Sequence, residues 1–127
     1  MIHELRTYTI KTEYGGVREL ERRFGAAVAE LVDALSDDPS IEDPQERHAA
    51  LRLQVAEAGP TAAAVFAADK VSKARELRLK ASRGELGDDE RMKLEHYEQS
   101  LDMLVTTMPR HELVEQLRLE LESLRAL

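Results

Sequence analysis

Apolar positions recur at helical spacing along most of this chain. Val28, Leu31, Val32 and Leu35 share one face of a helix expected from Ala26 to Leu35, since residues three and four apart stack on the same side. Residues 36–43, SDDPSIED, form a loop by composition. Asp43-Pro44 then starts a helix. Asp suits the cap, Pro the first position, and Glu46 occupies the capping-box place. This helix should reach about Ala58, where Gly59-Pro60 breaks it. A long central helix follows to about Ser82, then a turn over 83–87. Asp88 or Asp89 should cap the next helix, whose stripe is Leu94, Tyr97, Leu101, Leu104, Val105 and Met108. Pro109 should open the last helix, striped by Leu113, Leu117, Leu121 and Leu124. A shorter helix from Val17 to Phe24, closed by Gly25, completes a set of about six.

The first residues break this rhythm. Ile2 and Leu5 suit a helical turn, whereas Tyr8, Ile10 and Thr12 alternate with polar neighbours as a strand would. Gly15-Gly16 ends whatever precedes it. The expected organisation is an irregular segment over 1–16 and one all-α helical domain over 17–127. Composition agrees, because Ala, Leu, Glu, Lys and Arg supply more than half of the 127 residues. With two Phe, three Tyr and no Trp, the core must be built of Leu, Val and Ala.

Charge and chemistry narrow the function. A formal net charge of −7 disfavours nucleic acid as a partner, which needs a basic face. No cysteine is present, so disulfides, thiolate zinc sites and cysteine nucleophiles are excluded. No apolar run is long enough to span a membrane, and a soluble cytoplasmic protein is expected.

The candidate chemistry lies in the central helix. Ala62 to Ala68 is apolar on every side, and Asp69 follows directly. A buried carboxylate must be paired, hydrogen-bonded or metal-bound. Two readings stand: the helix surfaces at Asp69 with Lys73 as an ion partner one turn on, or Asp69 is a ligand. Lys70, Lys73, Arg75, Arg78 and Lys80 form a basic run, either a solvated face or a phosphate contact. The histidines at 48, 96 and 111 lack HExxH spacing and read as structural. Asp37, Asp38, Glu42 and Asp43 read as caps and turn formers, since the Gly and spacing of a Ca²⁺ loop are missing.

Two stretches resemble a known family. Residues 21–33 contain Arg23-Phe24-Gly25, then Val28 and Leu31-Val32, similar to the RFG…V..LV segment of the HD-type metal-dependent phosphohydrolases. Ala67-Ala68-Asp69-Lys70 resembles the central-helix motif of the RelA/SpoT-like branch, which hydrolyses (p)ppGpp. The resemblance covers about Val17 to the C-terminus. It implies an HD-like helical bundle, incomplete at its N-terminus, with residues 1–16 the remnant of the HD-motif region. It implies a Mn²⁺ ion, held weakly or lost, with His3, Glu4 and Asp69 as ligands. It also implies that Lys70, Lys73, His96 and Tyr97 contact a nucleotide polyphosphate such as ppGpp.

This chain departs from the family pattern in a consistent direction. Glu4 stands for an Asp, Thr7-Tyr8 for an acidic pair, Ser72 for a His and Lys73 for an Asn. A metal that activates water needs several ligands in fixed geometry and a supporting shell. The resemblance therefore implies a catalytically impaired domain that acts by binding a nucleotide or a partner, a second copy or a helical protein among them. Two alternatives remain open: an active Mn²⁺-dependent pyrophosphohydrolase whose site is completed by another subunit or segment, and a structural helical interaction module.

Overall fold

The computed structural model describes Arg22 and residues 25–127. Among the described residues there are five helices and no strand. The helix expected over Val17 to Phe24 and the segment 1–16 fall outside them, Arg22 excepted. The chain divides into two compact units, Met1–Ala62 and Ala63–Leu127, so the boundary falls in the opening turn of the third helix.

In the first unit, α1 spans Ala26–Ala34 and α2 spans Pro44–Ala58. Gly25 caps α1 at φ 91°, a left-handed conformation that a Cβ would strain. The expected apolar face of α1 is only partly covered. Ala29 is buried, Leu31, Val32 and Leu35 are half-buried, and Val28 is exposed. The end of α1 is satisfied from a distance: Gln54 Nε2 on α2 lies 3.1, 2.8 and 2.9 Å from the carbonyl oxygens of Asp33, Ala34 and Ser36. Ala34 and Asp33 are among the acceptors that a helix end leaves behind, although Asp33 also accepts from the Ser36 N–H at 3.2 Å; Ser36 lies just beyond the helix.

The loop before α2 behaves as its composition suggests. Asp38 accepts hydrogen bonds from the Ser40 backbone N–H and hydroxyl, at 2.9 and 2.7 Å. These bonds hold its carboxyl below the ordinary carboxylate range. Asp37 pairs with Arg47 at 3.4 Å. Asp43 caps α2 by accepting from the Glu46 N–H at 3.0 Å, with Pro44 in the first helical position. Val55 is fully buried, whereas Leu53 stands 61% exposed.

In the second unit, the body of α3 (Pro60–Ser82) lies with α4 (Asp88–Thr107) and α5 (Glu112–Arg125). Gly84, at φ 71°, turns the chain between α3 and α4. Gly87, rather than Asp88 or Asp89, is the N-cap of α4, and its N–H donates to Glu90 Oε1 at 2.8 Å. Glycine has no side chain to cap with, so only the Glu90 half of a capping box is made here. That bond leaves the Glu90 carboxyl below its ordinary value. Asp88 and Asp89 fall inside the first turn, where acidic side chains complement the helix dipole.

Pro109 does not open the last helix. Pro109 and Arg110 form a turn, with Arg110 at φ 66°, and α5 begins at Glu112. His111 is its cap: Nδ1 accepts from the Leu113 N–H at 3.1 Å. A histidine that reads as structural from sequence thus caps the start of a helix.

The core of this unit is aliphatic. Leu104, Leu117 and Leu121 are fully buried, flanked by Leu101, Met108, Val114 and Leu124. Burying one such leucine contributes about 1.5–3 kcal/mol. The α4 stripe differs from expectation at one edge. Val105 is 38% exposed, while Ser100 is fully buried and donates to the His96 carbonyl oxygen at 2.7 Å. With that acceptor one turn back, the hydroxyl is satisfied inside the helix, so a serine can sit where the pattern asks for an apolar residue.

Candidate functional site

The central helix buries a stripe, not its whole circumference. Ala63, Phe66, Ala67, Val71, Ala74 and Leu77 are buried, but Ala68 is exposed, which corrects the expectation of a segment hidden on every side. Small alanines leave the hidden face to be chosen by the neighbouring helices. Lys70 falls inside this stripe, four residues after Phe66 and four before Ala74, and is only 6% exposed. The charge deepest in the helix is therefore a cation; Asp69 lies one position round, half-buried.

Asp69 and Lys70 form an ion pair, Nζ to Oδ2 at 2.8 Å. Lys73 Nζ approaches the other carboxylate oxygen, Oδ1, at 3.8 Å. The surface reading foresaw Lys73 as the partner; it is the longer contact of the two. Oδ1 is buried and accepts no hydrogen bond. Lys70 Nζ also stands 4.4 Å from the centre of the Phe66 ring, within the range where a ring face attracts a cation.

His96 and Tyr97 come from α4 to the same neighbourhood. The His96 ring meets Phe66 edge-on, centroids 6.3 Å apart at 74°, and lies 5.8 Å from the Tyr97 ring. Both residues are buried, at 6% and 5% exposure. Burial raises the Tyr97 hydroxyl pKa far above its ordinary value, and the negative charges of Asp69 and Glu76 raise it further. Tyr97 therefore stays protonated throughout the usual pH range.

Phe66, which the sequence pattern does not mark as part of the site, meets Lys70 and His96; Asp69 and Lys73 join through Lys70 and Asp69, and Tyr97 through His96. The signal was present: Phe66 and Lys70 are four apart on one helix, the spacing at which side chains meet. His3 and Glu4, the other two metal ligands that the resemblance implies, lie outside the described residues. Among the described residues no group of three His, Cys, Asp or Glu side chains is placed to hold a metal ion.

The rest of the basic run is taken up by carboxylates. Arg75 Nε and Arg78 Nε donate to the two oxygens of Glu120 on α5, each at 2.9 Å. Lys80 pairs with Glu90 on α4 at 3.5 Å. These cations tie α3 to its neighbours. Burial pushes the Glu120 carboxyl up, but the hydrogen bonds and charges of the two arginines outweigh it and leave the pKa below the ordinary value. Arg125 and Glu98 make the corresponding link between α5 and α4 at 2.8 Å.

No protein-family model matches this chain, and no curated protein matches it significantly. Among the described residues, no helix is long and apolar enough to cross a membrane.

Proposed function

We propose that this chain is a helical binding module related to the HD-type phosphohydrolases, impaired in catalysis and acting by association with a second copy or a helical partner. The observation that carries this reading is the state of the Asp69 neighbourhood. Lys70, His96 and Tyr97, which the resemblance assigns to a nucleotide, are packed into the core with at most 6% exposure. Asp69 is already neutralised from within at 2.8 Å. Side chains engaged in this way hold helices together; they do not present an open ligand set.

Two measurements test the proposal. Incubation with ppGpp, with and without Mn²⁺, should release no pyrophosphate; Mn²⁺-dependent turnover that Asp69→Ala abolishes would overturn the impaired-catalysis reading. Light scattering should give a mass above the 14.3 kDa of one chain, or detect a complex with a helical partner. A lone 14.3 kDa species at every concentration and in the presence of cell extract would remove the binding role.

A further inference from the structure

The metal that the resemblance implies does not fit the surroundings of Asp69. One carboxylate oxygen holds the Lys70 ammonium at 2.8 Å, and the other faces the Lys73 ammonium at 3.8 Å. A divalent ion on either oxygen would lie beside a positive charge, in a place shielded from water where repulsion is strong. The uncapped Oδ1 is no exception, because Lys73 already stands on its side.

We infer that Lys70 is the resident counter-ion of Asp69 and takes the place that the resemblance gives to a metal. Its position in the helix supports this. The side chain lies within the buried stripe, so the ammonium is held there by the packing of α3 and does not reach in from solvent. The Phe66 ring at 4.4 Å gives the cation a second attractive surface. Asp69 supplies the negative charge without which a lysine this deep would be costly. The identity of the displaced ion rests on the proposed relationship; the pairing of the two side chains does not.

A double-mutant cycle tests the pairing. Lys70→Met and Asp69→Asn should each lower Tm, the buried-lysine change by roughly 10 °C or more, since breaking a buried pair leaves one charge uncompensated. The double variant should recover more than half of the larger loss. A double variant no more stable than the worse single variant overturns the inference. The second measurement needs no change at Lys70. Mn²⁺ added to the unaltered protein should leave the amide signals of residues 66–73 free of site-specific broadening. Broadening there that Asp69→Asn abolishes overturns the inference. Neither readout involves ppGpp or a partner, so failure here leaves the binding role standing, and failure of the binding role leaves this inference intact.

Discussion

The two units of the chain are held together by different means. Among the described residues of the first, only Ala29, Ser36, Val55 and Ala62 are buried, while Val28 and Leu53 face outward. Its order rests on polar closure of helix ends: Gln54 gathers three carbonyls, Asp43 caps α2, and Asp38 folds the loop. The second unit has a continuous aliphatic core and places its ion pairs around it, Arg75 and Arg78 on Glu120, Arg125 on Glu98. Hydrogen bonds exchanged with water return about 1 kcal/mol each, and buried leucines several times that in total. The comparison teaches that the first unit is specified mainly by where its helices stop, and the second by what its helices cover.

The largest test of that contrast is removal of core volume from the second unit. Leu104→Ala or Leu117→Ala, each at a fully buried position, should cost about 2–5 kcal/mol in chemical denaturation, because a cavity remains where the side chain was. A loss below 1 kcal/mol would mean that this core is not the source of stability.

A middle-sized effect is expected at the polar closure of the first unit. Gln54→Ala removes a donor shared by three carbonyl groups, of which Asp33 keeps the Ser36 N–H, and should cost about 1–2 kcal/mol, as water replaces it only in part. Hydrogen exchange should then quicken in α1 before it quickens in α5. Uniform acceleration across both units would erase the distinction drawn between them.

The smallest effect concerns the ion pairs around the second core. The folded-state pKa of Glu120 lies below its ordinary value of 4.5. Its stabilising contribution is therefore complete above that value and is lost as pH falls through the lower, folded pKa. Both arginines are substantially exposed, so Glu120→Gln should cost about 1 kcal/mol or less at pH 7. The difference between this variant and the unaltered protein should shrink as pH is lowered from about 5 to 3. A difference that stays constant across this window would show that the charge of Glu120 plays no part.

Only the neighbourhood of part of the candidate site was legible in the sequence. Asp69, Lys70, Lys73, His96 and Tyr97 stand out by residue type and resemblance, and pairwise contacts through Phe66 link them. Their arrangement was not legible. The sequence marks Asp69 as the odd charge because it ends an apolar run, yet alanine on all sides cannot say which face turns inward. That choice belongs to whatever packs on the helix, and it hides Lys70 instead. The basic run read as a solvated face or a phosphate contact because Glu90 and Glu120 are distant along the chain.

Local chemistry alone determined the helices of the described residues, the breaks at Gly59-Pro60 and Gly84, and the Asp43 cap, since each depends on backbone preferences within a few residues. Tertiary structure decided the rest: that His111 and not Pro109 begins the last helix, that Val105 faces out while Ser100 is buried, and that a lysine sits beside Asp69 under cover of Phe66. These outcomes depend on which surfaces meet, and the spacing along one helix leaves that free whenever small or amphipathic side chains suit more than one face.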